Sequence, residues 1–212
     1  MKYYFLEIKN LFKNKILKYF IIELAIFIYY GIMLKKANES PFPILFGINT
    51  ISVSNPFESI LRLINSSVFI FSTYTIYFFD LFRSAEFTLL REDGKSYFIK
   101  HLIIILLFNI ITILVFAILF MIAFEHVNLD LLFVALKGIV NIIYISLLAI
   151  NIINTLSYKN YFLLFMSTAL LFLNLVFLSK YMILELVGIV FILIYNVIKF
   201  KPQKVYDRFF RS

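Results

Sequence analysis

Apolar residues run through most of the chain in long, nearly unbroken stretches that short polar segments separate. Six stretches reach the length that a helix needs to cross a bilayer, about 20 residues for a hydrocarbon core about 30 Å thick. They predict an all-α integral membrane protein with six transmembrane helices at residues 16–34, 60–79, 102–124, 131–154, 161–179 and 181–198. Barrel strands are about 10 residues long and alternate strictly in polarity, and the apolar runs here do not alternate.

Two amphipathic segments are predicted outside the spans. In residues 1–15, apolar side chains share one helical face and lysine and asparagine side chains lie opposite, as in a helix in the headgroup plane. Residues 80–100 carry a second apolar stripe at helical spacing, which predicts a short cytoplasmic helix, a turn at Asp93 and Gly94, and Ser96 as the cap of the next helix. The simpler alternatives are a charged flank of the first span and a solvated loop.

The composition excludes a water-soluble fold. The 212 residues are 63% hydrophobic and 15% charged, with a mean hydropathy of +0.96. Soluble domains are about 45–50% apolar and about 25% charged, and a domain of this size leaves much of its surface exposed. A soluble single-domain enzyme and a disordered chain are therefore both excluded.

The positive charges predict how the chain is oriented. Its net charge is +8, and most lysine and arginine residues fall in 1–18, 83–100 and the tail 199–212. With the N-terminus in the cytoplasm these segments share one side of the membrane, which the positive-inside rule favours. We therefore expect a multi-pass protein of the bacterial cytoplasmic membrane with both termini inside. Lysine-rich flanks attract anionic lipid, so the bilayer is the expected partner and nucleic acid is not.

Residues 35–58 form the long external segment of this topology. Pro41, Pro43 and Pro56 interrupt any continuous helix there, and the phenylalanines between them suggest a segment that dips into the interface. The other external loops are short, so no external domain is expected. No small-residue cleavage pattern follows the first span, which is therefore expected to stay as an anchor.

The sequence lacks the motifs that membrane-bound enzymes use. It contains no phosphate-binding G-x-x-x-x-G-K-[ST] loop, no H-E-x-x-H helix and no G-x-S-x-G turn. It has no cysteine and two histidines, which leaves little for a metal centre. We therefore expect no enzymatic activity and no cofactor or metal in this chain.

Four charged residues fall inside predicted spans, where charge is costly and often functional. Glu23 lies in the inner half of the first span, whereas Arg62, Lys137 and Glu185 lie at similar depth toward the outer side. Their depth predicts an ion pair of Glu185 with Lys137 or Arg62. The alternative is that both cations reach the headgroups along their apolar stems.

Two spans also carry polar stripes at the spacing of one helical face. Their residues are Lys137, Asn141, Tyr144 and Asn151 in the fourth span, and Arg62, Ser66 and Thr73 in the second. Such stripes form hydrogen bonds between helices, worth about 0.6–2 kcal/mol per contact, or they line a translocation path. The sequence leaves both interpretations open.

These features together resemble a small ABC-2-type transporter permease. The basic amphipathic N-terminus, the six spans and residues 86–100 carry the resemblance; this last segment has an acidic residue, a Leu-Leu pair, a polar turn ending in serine and a lysine opening the third span. The family's coupling helix would correspond to Arg83, Glu86, Leu89, Leu90, Arg91, Asp93, Gly94 and Lys95. One departure is the connection between spans five and six, which is too short for the re-entrant helices that many members carry.

The resemblance implies a permease subunit of an exporter, and the phenylalanine-rich chain with few loops favours a hydrophobic or amphipathic substrate, such as an antimicrobial peptide. Its partners would be a cytosolic ABC ATPase subunit, which binds ATP and magnesium, and a second copy or a related permease. Two other functions fit a six-span chain. One is the substrate-capture subunit of an energy-coupling-factor vitamin transporter, although the Ala-x-x-x-Ala faces of that family are missing. The other is a bacteriocin-immunity or assembly protein without transport activity.

Overall fold

The computed structural model describes residues 94–124, 129–176 and 181–199, together with isolated helical positions nearer the N-terminus. Those positions are Ile21, Leu24, Ala25, Ile28, Tyr29, Ile32, Ile60, Leu63, Ile64, Ser66, Ser67, Ile70 and Thr73. The continuous part forms helices α1 (Gly94–Phe124), α2 (Leu129–Ser157), α3 (Tyr161–Val176) and α4 (Met182–Lys199). It contains no strand, so the prediction of an all-helical protein is confirmed for these residues.

Helix α1 begins earlier than the predicted third span. It starts at Gly94 and runs for 31 residues, a length of about 46 Å at 1.5 Å per residue. Lys95 lies in its first turn and Ser96 is its third residue, so the prediction that Ser96 caps this helix is wrong. No proline interrupts the residues between Lys95 and the apolar stretch, and the helix therefore continues through both.

A short connection at residues 158–160 joins α2 to α3 and satisfies both helix ends. Lys159 has a φ of 55°, its N–H donates to the Leu156 carbonyl at 3.2 Å, and the Asn160 N–H donates to the Thr155 carbonyl at 3.2 Å. This is the Schellman pattern of a helix C-terminus. Asn160 then caps α3, because its Oδ1 accepts a hydrogen bond from the Leu163 N–H at 3.3 Å.

Helix α2 lies at the centre of the described bundle, where it packs against α1, α3 and α4. Of its apolar span Phe133–Ser157, 67% is buried, against 17% for the span Met182–Lys199 of α4. The apolar core around α2 consists of Leu102, Ile105, Phe108, Tyr144, Leu147, Leu148, Ile150, Ile153 and Ile192. Both spans are long and apolar enough to cross a membrane.

The polarity of the outer helices is inverted relative to a soluble protein. The buried residues of α3 are Ser167 and Asn174, whereas Phe162, Phe165 and Phe172 are 71%, 69% and 66% exposed. In water, large apolar side chains are buried and amides face solvent. This arrangement therefore suits an apolar solvent.

Several predicted elements lie outside the described residues. They are the interfacial helix 1–15, the external segment 35–58, the coupling segment 80–93 and the tail beyond residue 199, with most of the first two spans. The predicted spans 131–154 and 181–198 fall on α2 and α4, and α3 covers the predicted span 161–179 up to Val176.

Candidate functional site

Buried polar side chains meet along α2 in three clusters. We name them the Asn151 cluster (Asn151, Asn154, Ser167 and Asn196), the Asn109 cluster (Thr73, Asn109 and Ser146) and the Glu185 cluster (Lys137, Asn141, Asn174 and Glu185). All of these side chains are buried except Lys137, which is half-buried. Each cluster joins α2 to at least one other helix, so the polar groups follow the central helix along its length.

The Asn151 cluster is a continuous relay of hydrogen bonds through α2, α3 and α4. Asn154 Nδ2 donates to Asn196 Oδ1 at 2.8 Å, and Asn196 Nδ2 donates to Asn151 Oδ1 at 3.0 Å. Asn151 Nδ2 in turn donates to Ser167 Oγ at 2.8 Å, and Ser167 Oγ donates to the Leu163 carbonyl at 2.8 Å. The relay holds three helices in one register.

The Asn109 cluster joins α1 and α2 to the helical position of Thr73. Asn109 Nδ2 donates to Ser146 Oγ at 2.7 Å and to Thr73 Oγ1 at 3.0 Å. The two hydroxyl oxygens are 3.2 Å apart and share a further hydrogen bond. Asn109 Oδ1 has no hydrogen-bond partner, so this cluster has one spare acceptor.

The Glu185 cluster holds a fully buried carboxyl group. Glu185 lies in the first turn of α4 and is 0% exposed. Asn174 Nδ2 donates to Asn141 Oδ1 at 2.7 Å beside it. Neither oxygen of Glu185 accepts a hydrogen bond of good geometry, although the Asn174 side chain lies within reach of the carboxyl group, and Asn174 Oδ1 has no partner. Three acceptors without a donor therefore meet in one buried place.

Lys137 acts on this carboxyl group through space. Its charge acts on Glu185, but neither Glu185 oxygen accepts a hydrogen bond from it. Lys137 stays half-exposed, as expected for a lysine whose ammonium follows its apolar stem toward water. The predicted pair of Glu185 with Lys137 is thus not a direct contact, and the other predicted partner, Arg62, lies outside the described residues.

Tyr144 forms a wall of the same site by lying against the backbone of α4. It is 2% exposed. A Cβ atom on Gly188 would lie 2.5 Å from Tyr144 Cε2 and 3.0 Å from its Cζ and Oη. Such a distance is shorter than van der Waals contact, so the absence of a side chain at Gly188 is what admits the Tyr144 ring.

The structure places several of the residues that the sequence singled out. Asn141, Tyr144 and Asn151 are buried on the predicted face of α2, with Lys137 at its start. Ser66 and Thr73 are also buried, and Ser66 Oγ has no hydrogen-bond partner. Gly94 and Lys95 lie in the first turn of α1. The candidates outside the described residues are Glu23, Arg62, Arg83, Glu86, Leu89, Leu90, Arg91 and Asp93.

Sequence reasoning missed most of the hydrogen-bond partners. They are Asn109, Ser146, Asn154, Ser167, Asn174 and Asn196. A usable signal was present, because an amide in a hydrocarbon span needs a partner. On α3, Ser167 and Asn174 are seven residues apart, and on α4, Glu185 and Asn196 are eleven apart, which are both spacings of a single helical face.

The clusters are suited to hydrogen bonding and proton exchange and lack the composition of a metal centre. Within the described helices, His, Cys, Asp and Glu side chains form no group of three or more that could hold a metal ion.

An apolar cleft of about 270 Å³ lies beside the C-terminal half of α2. Its lining is Ser67, Ile70, Ala149, Ile152, Ile153, Leu156 and Leu171.

Comparison with protein-family models, with curated proteins and with solved structures finds no match for the chain. The choice among functions therefore depends on the sequence pattern and on the geometry of the described helices. The sequence pattern and this geometry indicate which solvent surrounds the bundle and which polar groups lie along α2.

Proposed function

We propose that the chain is the membrane-embedded permease subunit of a bacterial ABC exporter, powered by a separate ATPase. The observation that carries the proposal is the inverted polarity of the described bundle, with amides inside and phenylalanines outside. On α3, for example, Asn174 is 0% exposed and Phe162 is 71% exposed. The six-span topology with both termini in the cytoplasm, and the location in the bacterial cytoplasmic membrane, belong to the same proposal.

The energetics favour lipid as the solvent of these helices. Burying apolar area releases about 25 cal/mol per Å² in water, and this bundle leaves many of its largest apolar side chains uncovered. Exposed residues such as Ile183 and Phe191, at 76% and 71%, would form large apolar patches in water. In a bilayer the same side chains meet acyl chains, and hydrogen bonds between helices contribute to association.

The polar clusters give the bundle an interior in which hydrogen bonds between helices can be exchanged. Amide and hydroxyl groups such as those of Asn151 and Ser167 can exchange partners between two arrangements of the helices. The core around α2 is filled by side chains such as Ile145 and Leu148, both 0% exposed. We therefore place the substrate path between two permease copies, or between this chain and a related permease, rather than through one copy.

Helix α1 offers a mechanical link from the ATPase to the polar interior. The last two residues of the proposed coupling segment 83–95 belong to the first turn of α1, which continues without a break from Gly94 to Phe124. Asn109 lies about 22 Å along that helix from Gly94, at 1.5 Å per residue. A displacement of the segment by the closing ATPase would shift α1 as a rigid element, and ATP would favour whichever arrangement the closed ATPase binds better.

The proposal is tested by isolating the tagged chain from bacterial membranes in mild detergent. We expect an ABC ATPase subunit to co-purify, and ATP hydrolysis by that complex in liposomes to exceed hydrolysis by the ATPase alone. The double variant Glu86→Lys, Arg91→Glu should lower this stimulation at least several-fold while the amount of inserted chain is unchanged. The matched control is Lys36→Glu in the predicted external segment, which should stimulate like the wild type.

The same preparation separates the other candidate functions. A co-purified vitamin would favour a substrate-capture subunit. Recovery of the chain without any ATPase, at normal abundance in the membrane, would favour an immunity or assembly protein. Stimulation that survives the double variant would contradict the coupling role of residues 83–95.

A further inference from the structure

The buried acceptors around Glu185 require a donor that the described side chains do not supply. Glu185 and Asn174 are both 0% exposed. Glu185 Oε1, Glu185 Oε2 and Asn174 Oδ1 each lack a hydrogen-bond partner. Buried polar groups in native proteins are nearly always paired, so three unpaired acceptors in one cluster point to a missing hydrogen.

The neighbouring donors make no well-formed hydrogen bond to either carboxyl oxygen. Asn174 Nδ2 donates to Asn141 Oδ1 at 2.7 Å. The backbone N–H groups of Leu184 and Glu185 donate to the Tyr181 carbonyl at 3.0 and 3.3 Å. Lys137 gives no hydrogen bond to either carboxyl oxygen. None of these groups therefore supplies Asn174 Oδ1 or the two carboxyl oxygens with a well-formed hydrogen bond.

One proton is the smallest addition that gives these acceptors a donor. An ionised carboxylate beside an amide oxygen presents acceptors only. A protonated carboxyl group has one O–H, which can donate to an amide oxygen and so satisfy two of the orphaned atoms with one bond. Full burial admits a proton relayed by water more easily than a larger ligand.

We propose that Glu185 is a proton-binding site, which takes a proton from water and, as a neutral carboxylic acid, donates it to Asn174 Oδ1. The titratable side chains that face Glu185 in the described part of the chain are Lys137 and Tyr144, both on α2. Release of the proton leaves a carboxylate on which the charge of Lys137 acts. Movement of α2 relative to α4 would thus couple the Glu185 proton to the arrangement of the helices.

The competing arrangement is an ionised Glu185 stabilised by Lys137 and by the N-terminal end of α4, where negative charge is favoured. It leaves a fully buried charge without a well-formed hydrogen bond, which is a costly arrangement. The inference takes the membrane location from the proposed function and does not depend on the ATPase. If Glu185 proves not to bind a proton, the outcome of the coupling experiment is unchanged.

The test is the infrared difference spectrum between the purified wild type and Glu185→Gln, both in lipid nanodiscs at neutral pH. We expect the wild type to show a carboxylic-acid C=O stretching band that the variant lacks and that shifts in D₂O. The matched control, Glu125→Gln in the polar segment after α1, should differ from the wild type in carboxylate bands only. A Glu185→Gln difference spectrum containing only carboxylate bands would overturn the proposal.

A second variant keeps the test decisive if Glu185→Gln fails to insert. Asn174→Leu removes the proposed acceptor and leaves the carboxyl group in place. We expect the carboxylic-acid band to remain and to move to a different frequency, because its O–H has lost its partner. A band that is absent from the wild type, or that keeps its frequency in Asn174→Leu, would show that Glu185 does not donate a proton to Asn174.

Discussion

Asn196 of α4 is hydrogen-bonded to Asn154 of α2, whose Nδ2 lies 2.8 Å from Asn196 Oδ1, and both side chains are buried. The amide of Asn196 also donates to Asn151 Oδ1 at 3.0 Å, so one residue of α4 connects two successive turns of α2. In an apolar solvent such a contact fixes both the distance and the register of two helices that apolar packing alone holds loosely.

Asn196→Leu should destabilise the bundle by about 1–3 kcal/mol, the cost of leaving buried polar partners unsatisfied. Both Asn151 and Asn154 lose a partner at once, while the volume of the side chain changes little. Thermal unfolding of the purified chain in detergent measures the effect. The control Ile194→Leu changes a residue of the same helix that is 53% exposed, and it should unfold like the wild type. Equal unfolding of both variants would show that the relay contributes nothing.

Gly188→Ala should also destabilise the bundle, by about 1–3 kcal/mol, because the added methyl group overpacks the contact with Tyr144. The Cβ atom would lie 2.5 Å from Tyr144 Cε2, and the ring is too deeply buried to move freely. Tyr144→Leu should rescue much of the loss. Additive effects of the two substitutions in a double-mutant cycle would contradict a direct contact.

Lys159→Gly should stabilise the connection between α2 and α3 by about 1 kcal/mol, since only glycine adopts a positive φ without strain. Lys159 has a φ of 55° and provides the C-terminal cap of α2. Lys159→Gln removes the same charge without relieving the backbone, so it separates the two effects. The midpoint of thermal unfolding should rise for glycine and stay near the wild-type value for glutamine.

The helices could be predicted from the sequence because the length of an apolar run is a local property. The stripe of Asn141, Tyr144 and Asn151 was also predictable, since helical periodicity places these residues on one face. The central position of α2 was not predictable, because Ile and Leu side chains pack equally well against lipid and against other helices. Its 67% burial follows from contacts with neighbours that are distant in sequence.

The site was harder to predict than the fold for a related physical reason. Opposite charges at equal depth favour a pair of Glu185 with Lys137, and depth can be estimated from the sequence. The neighbours that each side chain meets across the bundle cannot be estimated in this way. The structure places Asn174, rather than the Lys137 ammonium, beside the carboxyl group. Asn109 and Asn174 were not predicted as polar contacts because the spans around them carry no charge. A lone amide in an apolar span nevertheless needs a partner, just as a charge does.

The central claim is that lipid surrounds the outer faces of α3 and α4. The chain has no cysteine, so a single cysteine introduced at residue 165 or 191 carries a spin label at one position. Phe165 and Phe191 are 69% and 71% exposed; Phe165 lies just after the first turn of α3, and Phe191 lies near the middle of α4. In nanodiscs we expect both labels to be relaxed by oxygen and protected from a water-soluble nickel complex, whereas a label at Lys159 is relaxed by the nickel complex. Nickel relaxation of the labels at 165 and 191 equal to that at 159 would mean that water bathes these faces, and would contradict the account.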